Sequence, residues 1–479
     1  MGVKYIFMKT NILVFVFLFF VQILVAQKEE IQDYNCYTIA VGKDVAETGS
    51  VIIGHNEDDW GDMIINIYKV EPRNHKDGEM IKLICGELIP QVDYTYGYLW
   101  WQTPTEKFGD YLVNEHGVSV CSDACMSKED TASGFIGFYL RRLIVERADC
   151  ARQGVLIAGN LIEEYGYESS GRTYIIADKN EAWLMSVVQG KRWIAQRVPD
   201  HEVAIIPNYY TIQEVDLTDT ANFLASKDII SYAVLRGWYD QSTGEEFNFR
   251  NIYGDLGTNY SMGNIARHWS GLNQLDDKIY SYGENFPFSF NPGRKISKHD
   301  IMTVLSSHYE DTDFETNLDL HNSPYENIVH RICNHGTKFS LVTEFFNNEE
   351  FETDYCVWWA PLNPCIHPYV PVIYEIEDIP LKYQNGDYHE ALSSHFDEEH
   401  QSKSQNPLSA YSIFYQFNHD IDINYNQNFE SVKFWKKQFE ENVSSEFYDA
   451  LDNDRLLQKL SEGYLKKLID EEKAMLESD

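Results

Sequence analysis

Short apolar or alternating segments, separated by turn residues, fill the first half of the chain, and this pattern predicts β-strands. Tyr37–Val41 and residues 50–55 form the first predicted pair of strands, joined by a turn at residues 47–49. A second hairpin is predicted within residues 112–122, and a three-stranded meander within residues 173–197. Further strands are predicted at residues 202–206, 338–346 and 355–360.

Helical periodicity is clearest in residues 138–165, where apolar side chains recur every three or four positions until Gly166 ends the pattern. We predict one long helix there, and further helices at residues 298–308 and 456–476. Residues 384–407 are polar and rich in turn formers, so they predict a loop or linker. Beyond them the chain is predicted to be largely helical.

The first residues have the order of a secretory signal peptide. Lys4 and Lys9 give a positive start, residues 12–20 are apolar without a charge, and the small residue Ala26 precedes a polar stretch. We predict that residues 1–26 are a signal peptide and that the mature protein is exported, to the periplasm or to the outside of the cell. A membrane anchor is the alternative, but the apolar run falls short of the ~20 residues that a spanning helix needs.

Acidic residues outnumber basic residues by 75 to 39, which gives a formal net charge of −36. Such a surface repels nucleic acid and anionic lipid, so we expect no nucleic-acid partner and no membrane association after signal cleavage. The eight cysteines are too sparse for a disulfide scaffold. No pair of ligands downstream of Cys121 and Cys125 completes a zinc site, so we expect no metal and no cofactor. A homo-oligomer is compatible with the sequence.

Cys36 differs from the other cysteines because it follows the predicted signal cleavage site closely and directly precedes a strand. The predicted hairpin returns the chain so that Asp58 comes back toward Cys36. A cysteine at the start of a mature chain has a free α-amine with a pKa of ~7.7–8.0, which can act as general base for its own thiol. We therefore predict that residues 27–35 are a propeptide, removed by a second cut between Asn35 and Cys36.

Short motifs occur along the chain in an order that is informative as a set. The opening motifs are Cys36-Tyr37-Thr38, Val41-Gly42-Lys43, Thr48-Gly49-Ser50 and Asn56-Glu57-Asp58. Later motifs are Asn114-Glu115-His116-Gly117-Val118, Glu146-Arg147-Ala148, Asn208, and Trp358-Trp359-Ala360. In these segments the chain resembles the dipeptidase A-type cysteine peptidases, which are relatives of the secernins. The resemblance covers roughly residues 36–375.

The resemblance implies an α+β fold, the four-layer αββα sandwich of the N-terminal-nucleophile hydrolases. The sandwich would occupy residues 36–383, followed by the predicted loop or linker over residues 384–407 and a helical C-terminal extension over residues 408–479. Within it, the resemblance implies that Cys36 is the nucleophile and that Asp58 contacts the α-amine of Cys36. Asn208 would donate to the oxyanion, because its side-chain amide is a fixed donor.

Small peptides are the substrates that the resemblance implies, and Glu57, His55 and Glu115 are the predicted substrate-binding residues. The two carboxylates stand in matching segments at predicted strand ends, where they suit a cationic substrate amine. His55 stands where the family often has Arg, which puts the contribution of that position in doubt. We predict a secreted or periplasmic dipeptidase that cleaves unblocked dipeptides through a thioester of Cys36. The alternatives are an acyl amidase of the penicillin V or bile-salt type and a secreted binding protein that keeps the fold without using the thiol.

Overall fold

The computed structural model describes most of the chain beyond residue 35. The described ranges are residues 36–59, 64–104, 109–137, 139–316, 323–325, 330–348, 351, 353–396 and 409–477. The predicted signal peptide and propeptide therefore lie outside the described residues. Within the described ranges, none of the helices combines the length and the apolar character needed to cross a membrane.

Two antiparallel sheets form the centre of the fold, and two small two-stranded sheets accompany them. The first sheet contains β1 (Tyr37–Val41), β2 (Ile52–Asp58), β14 (Val203–Ile206), β16 (Ser289–Phe290), β17 (Thr337–Phe345), β18 (Tyr355–Pro361) and β19 (Val370–Val372), in the spatial order β16-β14-β1-β2-β17-β18-β19. The second sheet contains β3 (Asn66–Val70), β8 (Tyr98–Gln102), β9 (Tyr111–Asn114), β10 (Ser119–Ala124), β11 (Tyr167–Ala177), β12 (Ala182–Gly190), β13 (Trp193–Arg197) and β15 (Phe223–Ala225), in the order β15-β13-β12-β11-β10-β9-β8-β3. The two-stranded sheets pair β4 (Arg73–Asn74) with β7 (Tyr94–Thr95) and β5 (Met80–Lys82) with β6 (Leu88–Pro90).

Helices cover the outer faces of both sheets. They are α1 (Tyr139–Val145), α2 (Ala151–Tyr165), α3 (Ile229–Leu235), α4 (Phe249–Tyr253), α5 (Leu256–Asn259), α6 (Met262–Leu275), α7 (Lys298–Leu305), α8 (Tyr388–Ser394), α9 (Ala410–Ile423), α10 (Tyr425–Tyr448) and α11 (Asp454–Leu476), with short 3₁₀ turns at Gln241–Thr243 and Leu381–Tyr383. One apolar cluster joins the two sheets and the helices on the first sheet, and a second lies between the second sheet and α1 and α2. The architecture is thus the predicted α+β sandwich of four layers.

Alternation of side chains along β2 divides its residues between two layers. Asn56 faces the helices, because its side-chain amide donates to the carbonyl oxygen of Leu305 at the end of α7, at 2.9 Å. His55 and Glu57 face the second sheet, on the same side as Thr38 of β1. The Thr38 hydroxyl donates to Asp123 of β10 at 2.6 Å, so the two sheets are joined by a buried hydrogen bond.

The predicted strands are confirmed, but the single helix predicted for residues 138–165 is wrong: the chain forms α1 and α2 with a break between them. Asn114 stabilises the break, because its side-chain amide donates to the carbonyl oxygens of Val145 and Ala148, each at 2.8 Å. Asp178 accepts from the backbone N–H of Ala151 at 2.7 Å, at the start of α2. Both contacts come from remote residues, which local periodicity does not reveal.

The loop or linker predicted for residues 384–407 also needs correction, because α8 lies within it. Ala391 is buried, and His395 bonds to Asp110 and Gln102 at 2.9 and 3.1 Å, so this segment is docked on the second sheet. The predicted helical C-terminal region is confirmed as α9, α10 and α11. These helices share the apolar cluster of the first sheet and complete its outer layer.

Gly54 of β2 marks the closest approach of the first sheet to α7, and it gives a test of this packing. A Cβ atom at Gly54 would lie 2.2 Å from Cγ2 of Ile301. We expect Gly54→Ala to lower the free energy of unfolding by about 1–3 kcal/mol, the usual cost of overpacking. Urea unfolding measures this change.

Gly463→Ala in α11 is the matched control, since a Cβ there meets no atom within 4 Å. Alanine is favoured over glycine in a helix, so this control should gain about 0.5–1 kcal/mol. Equal unfolding midpoints for Gly54→Ala and the unsubstituted protein would contradict the packing described for β2 and α7.

Candidate active site

Cys36 precedes β1, and the registers of the two neighbouring strands determine what surrounds it. Tyr37 pairs with Asn56 of β2, so that Cys36 stands opposite Glu57. Thr38 pairs with Ile206 of β14, and continuing that register by two residues places Asn208 on the other side of Cys36. Antiparallel pairing therefore brings together residues that are 21 and 172 positions apart in the sequence.

The Cys36 thiol is buried and hydrogen-bonded. Its sulfur lies 3.5 Å from Oε1 of Glu57 and 3.6 Å from the carbonyl oxygen of Asp58, and only 4% of the residue is exposed. Burial, followed by the negative charge of Glu57, raises the pKa of the thiol well above its ordinary value. The thiol is therefore protonated in this form of the chain, and forming the thiolate requires a base.

Asp58 presents one hydrogen-bonded and one free carboxylate oxygen. The side-chain amide of Asn334 donates to Oδ2 at 2.6 Å, whereas Oδ1 is buried and has no hydrogen-bond partner among the described residues. Burial raises the pKa of Asp58 to about 8. A buried, unsatisfied carboxylate oxygen is costly, and a cationic donor placed beside it would both satisfy it and lower that pKa.

A chain of hydrogen bonds runs from the thiol to the second sheet. From Glu57, Oε2 lies 3.0 Å from Nε2 of His55, and Nδ1 of His55 lies 2.7 Å from the Thr38 hydroxyl. Thr38 in turn donates to Asp123, so that five buried residues are linked in sequence. We call Glu57, His55, Thr38 and Asp123 the relay.

The single hydroxyl proton of Thr38 determines where the other protons of the relay lie. If Thr38 donates to Asp123, Nδ1 of His55 carries a proton, and a neutral His55 then accepts at Nε2 from a protonated Glu57. Burial raises the pKa of Asp123 to about 6 and that of Glu57 to about 8, and it lowers the pKa of His55 to about 4. Near neutral pH these values agree with that arrangement, so the contact between His55 and Glu57 is a neutral hydrogen bond and not an ion pair.

Asn208 lies on the opposite side of Cys36 from the relay. Its backbone is in the left-handed region, with φ of 65°, a conformation that Asn adopts more readily than most residues. A guanidinium of Arg267 donates to Oδ1 at 2.9 Å, which fixes the amide so that its NH₂ group donates to the carbonyl oxygen of Ala124 at 3.1 Å. An amide NH₂ group carries a second hydrogen, and this is the donor that the predicted oxyanion role of Asn208 requires.

Buried positive charge surrounds these acids. Arg141 and Arg172 both donate to the hydroxyl of Ser122 on β10, at 2.5 and 3.0 Å. Each guanidinium favours the ionised form of Glu57 and opposes the rise of its pKa that burial causes. Together with Arg267, whose charge acts in the same way on Asp58, they offset part of the cost of burying the carboxyl groups.

The structure brings together five of the six residues predicted for the site. Cys36, Glu57 and Asp58 are in direct contact, and Asn208 flanks Cys36. His55 lies behind Glu57 with both ring nitrogens bonded inside the protein, so it is part of the relay and has no nitrogen free for a substrate.

The prediction that Glu115 binds substrate needs correction. Glu115 lies at the turn between β9 and β10, at the end of β10 that is far from Asp123. Its carboxylate accepts from the backbone N–H of Gly97 at 3.1 Å, which is a structural role. The stretch of β10 between Ser119 and Asp123 alone spans ~13 Å at ~3.3 Å per residue. Substrate binding by Glu115 at Cys36 is therefore excluded by its position.

Sequence reasoning missed Asp123, Asn334 and the three arginines. A carboxylate within a predicted apolar strand was the available signal for Asp123, since an acid there must find a buried partner. For Asn334 and Arg267, which come from loop and helix positions, no local pattern distinguishes them from structural polar residues.

The two facing sheets between helical layers, with a cysteine at the start of a central strand, define the fold of the N-terminal-nucleophile hydrolases. Within that class, residues 35–424 match peptidase family C69, so the chain belongs to this family. The resemblance to the dipeptidase A-type peptidases and the predicted fold class are thereby confirmed. Membership makes the protein a hydrolase of peptide or amide bonds.

Relatives of this chain include bacterial proteins with dipeptidase names. The "Probable dipeptidase" of Latilactobacillus sakei is 26% identical over 366 residues, which are 73% of this chain and 76% of the relative. The "Probable dipeptidase A" of Streptococcus pyogenes serotype M1 is 26% identical over 380 residues, 74% of this chain and 78% of the relative. A solved conjugated bile acid hydrolase of Clostridium perfringens covers 74% of this chain and 94% of its own, with 11% identity and a TM-score of 0.28, a score at which the likeness carries no argument.

Glu57 gives a prediction about pH and stability. Its pKa is raised to about 8 in the folded chain, so the folded state holds this proton more tightly than the unfolded state. The stabilisation is full below the unfolded pKa of ~4.3 and is lost as the pH rises through the folded pKa. Glu57→Gln should therefore make the fall in unfolding free energy between about pH 5 and about pH 7 shallower, by about 1.4 kcal/mol per pH unit.

Urea unfolding at a series of pH values measures this slope, in a Cys36→Ala background so that the thiol does not titrate with Glu57. Glu47→Gln, which removes an exposed carboxyl group, is the control. An unchanged slope in Glu57→Gln would show that Glu57 is ionised in the folded chain and would contradict the proton arrangement given above.

Proposed function

We propose that this protein is an exported dipeptidase in which Cys36, once it is the first residue of the chain, attacks the peptide bond. The observation that carries the proposal is the setting of Cys36 at the start of β1. On one side lies the Asp58 carboxylate with an unsatisfied buried oxygen, and on the other lies the Asn208 amide held by Arg267. These are the two partners that an N-terminal nucleophile needs, one for its ammonium and one for the oxyanion.

Processing is part of the proposal. Removal of a signal peptide at residues 1–26 and of a propeptide at residues 27–35 would free the α-amine of Cys36. The chemistry requires this cut, since the nitrogen of Cys36 can act as a base only when it is a free amine and not part of an amide bond. The second cut is assigned to Cys36 itself. Its thiol would attack the carbonyl carbon of Asn35, the C–N bond would break to free the α-amine, and the acyl group would remain on sulfur as a thioester. Water would then hydrolyse the thioester and release the propeptide.

In the mature enzyme the α-amine takes the thiol proton and Asp58 binds the resulting ammonium. The thiolate adds to the carbonyl carbon of the dipeptide, and the oxyanion accepts from the NH₂ group of Asn208. When the tetrahedral intermediate collapses, the C–N bond breaks and the ammonium of Cys36 gives its proton to the leaving amine. Water then hydrolyses the thioester, with the α-amine again acting as base.

The relay explains how a protonated Glu57 can bind a cationic substrate amine. As the amine approaches, Glu57 passes its proton to Nε2 of His55, the Nδ1 proton passes to Thr38, and the Thr38 proton passes to Asp123. One positive and one negative charge then face each other at the substrate, while the displaced proton rests on the second sheet. The dipeptidase names of the relatives support a free amine as the feature that this site recognises.

The first test concerns the nucleophile. Cys36→Ala should abolish hydrolysis of an unblocked dipeptide, and Cys36→Ser should retain a trace at most, because a hydroxyl is the weaker nucleophile. Hydrolysis is followed by release of free amino acid, and intact mass identifies the first residue of each protein. Unsubstituted enzyme should begin at Cys36, and Cys36→Ala should retain the propeptide.

Cys356→Ala, a buried cysteine on β18, is the matched control and should be processed and active like the unsubstituted enzyme. Full activity in Cys36→Ala would show that another group is the nucleophile. Active enzyme whose mass begins only at Gln27 would contradict the role of the α-amine. Inactive protein whose mass begins at Gln27 would favour the alternative of a secreted binding protein that keeps the fold without using the thiol.

The second test concerns substrate length and charge. We expect kcat/KM for an unblocked dipeptide to exceed that for its N-acetyl form by about tenfold to hundredfold, since a buried charge-assisted hydrogen bond is worth ~1.5–3 kcal/mol. A tetrapeptide should be cleaved poorly. The measurement is kcat/KM for all three compounds with processed enzyme.

Glu57→Gln supplies the comparison, because it should lower the rate for the free dipeptide and leave that for the acetylated form nearly unchanged. Equal kcat/KM values for all three compounds would refute recognition of the amine. A preference for the acetylated form, together with cleavage of penicillin V or a conjugated bile acid, would identify the protein as an acyl amidase.

A further inference from the structure

A second group of chemically active side chains lies outside the site described above. The donor atoms of His308, Cys333 and Cys365 all lie within 4.8 Å of one another, and all three residues are buried. His308 follows α7, Cys333 precedes β17, and Cys365 follows β18. We call these three residues the His–Cys cluster.

The ring of His308 is held in a position that directs one nitrogen into the cluster. Glu310 accepts at 3.0 Å from Nδ1, and its other oxygen accepts at 2.9 Å from the backbone N–H of His308. A carboxylate only accepts, so Nδ1 carries a proton. Nε2 is buried and makes no hydrogen bond in the part of the chain that the structure describes, so it is the nitrogen left to bind a ligand. A carboxylate behind a His is the usual support of a metal-binding imidazole.

Polar side chains contact the two sulfurs. The sulfurs of Cys333 and Cys365 are 3.4 Å apart. The side-chain amide of Asn363 donates to Cys333 at 3.6 Å, and the hydroxyl of Tyr325 lies 3.1 Å from the sulfur of Cys365. A tetrahedral Zn²⁺ with Zn–S bonds of ~2.3 Å separates two sulfurs by about 3.7 Å, close to the spacing seen here.

We propose that the His–Cys cluster binds a thiophilic divalent cation, Zn²⁺ being the ion that the donor set fits best. Two thiolates and one imidazole supply three ligands, and the Tyr325 hydroxyl or a water completes four-coordination. Binding releases the two thiol protons. The donors come from three loops and share no short spacing, so this site replaces the expectation of no metal, which rested on spacing motifs.

The cation would hold in place the loop before β17, which positions Asp58. Cys333 is followed directly by Asn334, whose amide holds Asp58, and Asn363 donates to the carbonyl oxygen of Asn334 at 2.6 Å. A bond from the metal to Cys333 and Cys365 would tie the start of β17 to the loop after β18. The proposed ion has a structural role, so the proposal does not depend on which bond the enzyme cleaves.

Co²⁺ is the probe, because thiolate ligands give it an intense charge-transfer absorption that Zn²⁺ removes by displacement. Reduced full-length chain, stripped of metal by a chelator, should bind about one Co²⁺ with this absorption and should unfold at a higher temperature when Zn²⁺ is added. Cys365→Ser should lose about half of the absorption, as one of two thiolates is gone. Glu310→Gln should keep the absorption but weaken affinity by about tenfold to hundredfold.

Two controls locate the ion. Cys36→Ala and Cys356→Ala should bind Co²⁺ like the unsubstituted chain, because neither residue is part of the cluster. Absence of the absorption in the reduced chain would overturn the proposal. Loss of the absorption in Cys36→Ala with retention in Cys365→Ser would place the ion on the nucleophile and would overturn it as well.

The unsubstituted protein gives a further readout that does not depend on how the variants fold. Protein isolated without a thiol reagent should contain zinc by elemental analysis, with both cysteines reduced by peptide mapping. A disulfide between Cys333 and Cys365 in the isolated protein, with no zinc, would show that the two thiols form a covalent link and would refute the metal site. None of these measurements uses peptidase activity, so their outcome is separate from that of the proposed function.

Discussion

Strand β1 is hydrogen-bonded on both edges, and this double pairing is the constraint on which the site depends. A shift of one residue against β2 would turn His55 and Glu57 to the helix side and bring Asn56 to the second sheet, because side chains alternate along a strand. A shift against β14 would separate Asn208 from Cys36. Both registers are held by burial, since every residue of β1 is buried and its apolar side chains belong to the core.

The second constraint is the free-energy cost of removing ionisable groups from water. This cost opposes the burial that the strand pairing imposes on the site. Three carboxyl groups and three guanidinium groups are buried around Cys36. Hydrogen bonds to Asn334 and Thr38 and the nearby positive charge reduce the cost of burying Asp58 and Asp123, but the pKa of each remains raised. Near neutral pH the protein therefore keeps protons on Asp58 and Glu57, which would be ionised in water, and leaves Asp123 able to accept one. That retained acidity gives the site a capacity to move protons without moving side chains.

The sequence supports prediction where a pattern is local. The alternation in β1 and β2 is enough to place Asp58 near Cys36, and the ordered motifs are enough to find the family. It does not support prediction where distant segments meet. Thr38 and Asp123 meet only because two sheets pack face to face, and Asn114 ends α1 from a hairpin in another part of the chain. Glu115 was misplaced for the same reason, since strand direction, and not membership of a motif, decides which end of β10 reaches the site.

The side chains of β2 contact two different layers of the fold. His55 and Glu57 point toward the second sheet, where their protons are shared with Thr38 and Asp123. Asn56 is anchored to the helix layer, and Asp58, at the end of the strand, is held by Asn334, next to Cys333. Asp58, the group that would bind the Cys36 ammonium, is thus held by Asn334. Glu57, the group that would bind the substrate amine, is linked through hydrogen bonds to the second sheet. Because a single strand carries both, the distance between them is set by the backbone, while each carboxyl group has hydrogen-bond partners in a different part of the fold.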